Sequence, residues 1–237
     1  AAALTGVITD PRTIGTDFNV AEFAPSAHVP RIVEPAKQAG GAIRRGANIA
    51  RINALPPVRG VRELPVLLVV GDDISTDAIS PAGVVALPLR SNPEQLAEHS
   101  FRSIDPDYPA RARAVAGGHV IVAGRNMGQG SSREHAALCP RLLGLEAIIA
   151  EGFARIFAAN LVNAGILPLV VTPEMRGLCA AAQTVTIDFD AVTPGVPLVI
   201  VADGHRIEAE HGLDARGCCI LAAGGLIAAL KQARSKG

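Results

Sequence analysis

Aromatic residues are scarce in this 237-residue chain, which has six Phe, one Tyr and no Trp. Stacking platforms for bases or sugar rings are therefore not expected. Charge of one sign is missing too, since 22 Lys and Arg stand against 22 Asp and Glu. A balanced chain lacks the basic patch that a dominant role on nucleic acid or a membrane surface demands, and neither is expected as a partner. No charge-free apolar run approaches the ~20 residues needed to cross a bilayer. Four cysteines, Cys139, Cys179, Cys218 and Cys219, form no C-x-x-C pair and no metal-ligand spacing with the six histidines. Neither a disulfide framework nor a metal site is expected within the chain, and reduced thiols suit a cytoplasmic location. The opening Ala1-Ala2-Ala3-Leu4 has no Met, basic stretch or long apolar core. It does not read as a signal peptide, and the chain is expected to come from the middle of a longer protein.

Apolar residue is plentiful at 49%, enough to exclude a disordered chain and to fill the core of one large domain, alone or with an extension. Residues 1–62 carry turn chemistry and little periodicity, with Pro11, Pro25, Pro30, Pro35, Pro56 and Pro57 as punctuation. They are expected as an extended arm leading from a preceding domain, with the packed domain over 63–237. Pro65–Val70 is a near-continuous apolar run that suits a buried strand. Further strands are expected at His119–Ala123, Ala147–Ala150 and Leu167–Val171. Helices are expected near Pro93–Phe101, Pro109–Ala116, Ser132–Leu143, Phe153–Asn163 and Pro173–Ala182. This alternation predicts an α/β layer with parallel strands. The tail turns β-like at Thr184–Phe189, and Asp203-Gly204 between two apolar runs signals a type I′ hairpin. An Ala/Leu/Ile-rich helix closes the chain after Gly224-Gly225.

The stretch Gly124-Arg-Asn-Met-Gly-Gln-Gly-Ser-Ser-Arg-Glu-His135 follows a strand and opens a helix. Unpaired amides and the helix dipole make such a start attractive to carboxylate or phosphate, and Arg133 adds a planar fork. The pattern is not a Walker loop, a dinucleotide fingerprint or a nucleophile elbow. Ser131 and Glu134 also satisfy the spacing of a capping box, which is compatible with outward-facing Ser132 and Arg133. A second loop, Gly71–Gly83, follows the first strand. Its Asp72, Asp73 and Asp77 lack the EF-hand pattern and are expected mainly in turns and caps. Open α/β sheets bind ligands beyond the carboxyl ends of their strands, which draws Asp77 and Ser131–Arg133 to one edge.

Several stretches are shared with a known family: Asp73-Ile-Ser-Thr-Asp-Ala-Ile-Ser-Pro-Ala-Gly83, Leu87-Pro-Leu-Arg-Ser-Asn92, Gly128-Gln-Gly-Ser-Ser-Arg-Glu-His-Ala-Ala137 and Gly152-Phe-Ala-Arg-Ile156. They resemble the C-terminal swivel domain of the aconitase superfamily, and most of all the shorter bacterial, mitochondrial-type aconitases. The resemblance implies a three-layer β/β/α swivelling domain with a mostly parallel core sheet. It implies a [4Fe-4S] cluster in the complete enzyme whose ligands lie outside this chain, so that the chain alone is inactive. The implied partners are cluster-bearing N-terminal domains or a large subunit, and a di- or tricarboxylate substrate. Carried over by motif, Ser131 is the catalytic base and Asp77 an active-site aspartate, while Arg90, Ser132 and Arg133 bind substrate carboxylates. The implied reaction is the isomerisation of citrate to isocitrate through cis-aconitate, a step of the tricarboxylic acid cycle.

Two departures bear on substrate. Ala78 and Phe157 stand where the aconitase motifs carry His, and both substitutions resemble the small subunit of 3-isopropylmalate dehydratase. A 3-isopropylmalate or homoaconitate dehydratase is the alternative expectation, with a non-catalytic, RNA-binding relative as a further one. Arg125-Asn126-Met127 also departs from the usual E-N-Y/F.

Overall fold

A computed structural model of the chain describes residues 46–51 and 55–235. The expected arm lies mostly outside the described residues. Among these, seven strands form a continuous sheet: β1 (Val61–Val69), β2 (His119–Val122), β3 (Leu145–Ala150), β4 (Leu167–Val170), β5 (Thr184–Asp188), β6 (Leu198–Ala202) and β7 (His205–Ala209). Their order is β4-β3-β2-β1-β5-β6-β7. The β1–β4 half is parallel throughout, and β5–β7 continue from β1 as an antiparallel meander.

β1 belongs to both halves. Val61–Pro65 pair antiparallel with β5, whereas Val66, Leu68 and Val69 pair parallel with β2, across a register shift. Pro65, which has no N–H to donate, stands where the strand changes partners. The halves meet again at their far ends. Val170 and Glu210 exchange two backbone hydrogen bonds of 2.6 and 2.9 Å, so the chain after β7 meets the end of β4.

Side-chain alternation then builds two cores. Val120, Val122, Ala147 and Ile149 turn to the meander, packing with Val185, Ile187, Leu198, Ile200, Ile207 and Ala209. Ile121, Ala123, Ile148 and Ala150 turn the other way, onto Ile79, Leu96, Phe101, Tyr108, Phe157 and Leu161 of the helical layer. This is the expected β/β/α arrangement. Removing one of these aliphatic side chains costs about 2–5 kcal/mol.

Eight helices are described: α1 (Thr76–Ile79), α2 (Pro93–Ala97), α3 (Tyr108–Ala114), α4 (His135–Leu142), α5 (Arg155–Asn163), α6 (Pro173–Ala181), α7 (Ala215–Ala223) and α8 (Leu226–Arg234). Asn92, Thr172 and Asp214 accept from an amide in the first turn of α2, α6 and α7. The Asp203-Gly204 turn has φ of 42° and 88°, as a type I′ turn requires. The closing helix expected after Gly224-Gly225 is α8, and a further helix, α7, precedes the pair. Gly224 lies at φ 90°, and a Cβ there would come within 2.7 Å of the Leu55 carbonyl oxygen.

Candidate active site

Two loops leave the carboxyl ends of β1 and β2 and are stitched together by their backbones. The amides of Gly128 and Gln129 donate to the Ile74 carbonyl at 2.8 and 3.1 Å, and Thr76 donates to the Gln129 carbonyl at 2.8 Å. On the other side, Met127 donates to Gly152, and Ala154 to Met127, both at 2.9 Å. The Gly-rich loop thus lies between the loops that follow β1 and β3.

Side chains lock the same seam. Asp72 accepts from the Arg125 amide at 2.9 Å and from its guanidinium at 3.0 and 2.6 Å. This amide and guanidinium hold the Asp72 carboxyl below its ordinary range. Asp73 and Asn126 both adopt left-handed backbone, with φ of 56° and 53°, and Asn126 donates to Asp73 Oδ1 at 2.9 Å. Gln129 donates to the Asp73 carbonyl at 2.8 Å. Asp and Asn tolerate that backbone best, and its concentration here marks a conformation imposed by the surroundings.

Within this frame three of the expected site residues meet. Arg133 Nη1 donates to Asp77 Oδ1 at 2.7 Å and to the Ser80 carbonyl at 3.2 Å, and Nη2 lies 3.4 Å from Ser131 Oγ. The Thr76 hydroxyl donates to the Ser131 carbonyl at 3.1 Å. The Arg133 side chain is only 15% exposed while that of Asp77 is 62% exposed, so the guanidinium is fixed from beneath and faces an open carboxylate. Ser131 and Ser132 are exposed on the same turn. Arg90 is exposed and joins through its backbone alone, its carbonyl lying 3.0 Å from His135 Nε2.

Two local expectations are corrected. The helix expected from Ser132 begins at His135, and the capping box does not form: Glu134 is the N-cap and no side chain caps the helix. Arg133 accounts for the difference. Its amide turns back to the Ser131 carbonyl at 2.9 Å and its side chain reaches across to Asp77, which holds residues 131–133 out of the helix. Among the described residues, the amides of Ser132, Glu134 and His135 have no backbone acceptor, which leaves donors beside the two hydroxyls. Asp72 and Asp73, expected in turns and caps, instead hold Arg125 and Asn126. α1 is capped by Ser75, whose hydroxyl accepts from Ala78.

Phe157 does not line this surface. It is 2% exposed and sits beneath Gly128, in the core between α5 and the sheet. Its effect on the site is exerted through the backbone of the Gly-rich loop. Among the described residues no three His, Cys, Asp or Glu side chains gather to hold a metal. Burial pushes the Cys139 and Cys179 thiols up to about 12 and about 11, as for unreactive core cysteines. The described residues do not fit an iron–sulfur cluster. No described helix is long and apolar enough to cross a membrane.

The Aconitase C-terminal domain model matches residues 99–174. The chain is 38% identical over 168 residues to the 3-isopropylmalate dehydratase small subunit of Pyrobaculum neutrophilum, covering 70% of this chain and 94% of that protein. It is likewise 38% identical over 165 residues to the methanogen homoaconitase small subunit of Methanocaldococcus jannaschii, covering 68% and 87%. The crystal structure of 3-isopropylmalate dehydratase from Methanocaldococcus jannaschii superposes with a TM-score of 0.60 at 34% identity, over 75% of this chain and 99% of that one. With its fold, its GSSREHA loop and relatives matched over nearly their full length, the chain belongs to the aconitase superfamily, among proteins with the Aconitase C-terminal domain.

Proposed function

We propose that this chain is the small-subunit-type part of a hydro-lyase acting on 3-isopropylmalate, with homoaconitate the neighbouring possibility. The citrate isomerisation expected from the sequence gives way to this alternative, because the relatives above are 3-isopropylmalate dehydratase and homoaconitase small subunits. Ala78 and Phe157 agree with that choice, since the one has no polar head and the other is buried away from the surface. The [4Fe-4S] cluster of the complete enzyme is assigned to a partner, subunit or domain, outside this chain.

One observation carries the chemistry: Arg133 is anchored between Asp77 and Ser80 with its second nitrogen beside Ser131 Oγ. A serine hydroxyl is a very weak acid, so to take a proton from the carbon next to a carboxylate it needs fixed positive charge beside it. Arg133 supplies that charge, and the free amides ahead of α4 add to it. Asp77 orients the guanidinium without covering it, leaving donors for a substrate carboxylate. Ser132 and Arg90 receive the remaining carboxylate oxygens. Groups outside this chain take the departing hydroxyl. In the complete enzyme Ser131→Ala should lower turnover by about 10²–10⁴ while substrate binding changes only a few-fold. Retained turnover would overturn the assignment of Ser131 as the base.

A further inference from the structure

His135 opens α4 directly behind Ser131–Arg133, yet its ring serves a segment 45 residues away. Nε2 lies 3.0 Å from the Arg90 carbonyl oxygen. A carbonyl only accepts, so Nε2 carries the proton and donates. The segment it reaches is held at its end, where Ser91 accepts from the Ala50 amide at 2.9 Å and Asn92 caps α2, but it buries little side chain around Arg90. The 3₁₀ turn Leu87–Ser91 buries none of its residues, and Val84, Val85 and Leu87 are 91%, 73% and 52% exposed. Ala86 is its buried member, and Leu89 is partly buried against the helical core. By contrast α4 is fixed, with Ala136, Ala137 and Cys139 buried.

We propose that His135 is a positioning residue that sets the distance between Arg90 and Arg133, and with it the spacing of the two carboxylates the site accepts. This rests on the reading above that both arginines receive substrate carboxylates. The tether runs from the helix that follows Arg133 to the Arg90 carbonyl itself, the contact that fixes Arg90 relative to that helix. Loss of the tether leaves Ser131 and Arg133 where they are and frees Arg90 to move with its exposed neighbours. The consequence is weaker substrate binding with the proton-transfer step intact.

The test uses the complete enzyme with His135→Phe, which keeps a ring and removes the donor, and His135→Gln, whose Nε2–H reaches the position of the histidine Nε2. His135→Phe should raise KM about 5- to 10-fold with kcat within about twofold, as expected for one lost hydrogen bond. His135→Gln should recover most of that loss. In an Arg90→Ala background, His135→Phe should cost less than about twofold, because its effect passes through Arg90. A full cost in that background, or a loss confined to kcat, overturns the proposal. Amide exchange over 89–92 in the full chain reads the tether without turnover: His135→Phe should speed it about 10-fold, and unchanged exchange also overturns the proposal. If the complete enzyme turns over none of the carboxylates offered, the functional reading fails while the exchange measurement still decides the tether.

Discussion

Gly128 and Phe157 offer a quantitative test of how the Gly-rich loop is held. Gly128 has φ +81°, and a Cβ there would lie 2.1 Å from two ring carbons of Phe157 and 2.6 Å from its Cβ. Left-handed backbone costs an L-residue about 1–2 kcal/mol. Displacing a fully packed ring adds about 1–3 kcal/mol. Gly128→Ala should therefore destabilise the protein by about 2–5 kcal/mol. Phe157→Ala, which leaves a cavity under the loop, should cost about 3–5 kcal/mol. In the double variant the new methyl enters that cavity and its clash with the ring disappears, while the close approach to the residue-157 Cβ and the backbone cost stay. The double variant should thus be more stable than the sum of the single losses by about 1–3 kcal/mol. Urea unfolding of the four proteins, with midpoints compared at constant m, gives the coupling energy. Additive losses would refute the claim that Phe157 is the floor on which the Gly-rich loop rests.

Two further outcomes follow from charged groups. Burial, followed by the Arg111 charge, pushes His119 down to about 4, and its Nε2 lies 2.9 Å from the Tyr108 hydroxyl. A depressed folded-state value means full stability above the ordinary histidine value. The loss should begin as pH falls below about 6.5 and reach about 3 kcal/mol near pH 4. His119→Phe should remove that part of the acid sensitivity, and an unchanged dependence of the urea midpoint on pH would contradict it. At the site seam, Arg125→Ala should raise the Asp72 carboxyl only part of the way to its ordinary value, because the residue-125 amide still donates. An NMR titration of Asp72 that shows no movement would dismiss the guanidinium as a partner.

Much of the layer order was legible in the chain because burial imposes periodicity. Runs such as His119–Val122 and Leu145–Ala150 are buried on both faces, and both stand between the antiparallel half of the sheet and a helical layer. The hairpin was legible from Asp203-Gly204 because few residues take positive φ there. The double role of β1 was not, since nothing local marks where a strand exchanges one partner for another beyond the single Pro65. At the site, the motif brought out Asp77, Ser131 and Arg133, and the structure joins all three. The capping box failed because spacing cannot register a competitor 56 residues away in sequence, and Asp77 is that competitor for Arg133. The Asp72–Arg125 and His135–Arg90 contacts join residues 53 and 45 apart, where no periodic signal reaches. Phe157 was read as a change at the active surface, and its burial moves that change one layer down, to the support of the loop.

On the proposed function, Ser131, Arg133 and Arg90 serve a dehydratase whose substrate is 3-isopropylmalate or homoaconitate in kind. The most direct measurement is turnover by the complete, cluster-loaded enzyme on equal concentrations of 3-isopropylmalate, homoaconitate, citrate and isocitrate. kcat/KM for 3-isopropylmalate or homoaconitate should exceed that for citrate and isocitrate by at least about 10²-fold. Turnover confined to citrate and isocitrate would contradict it.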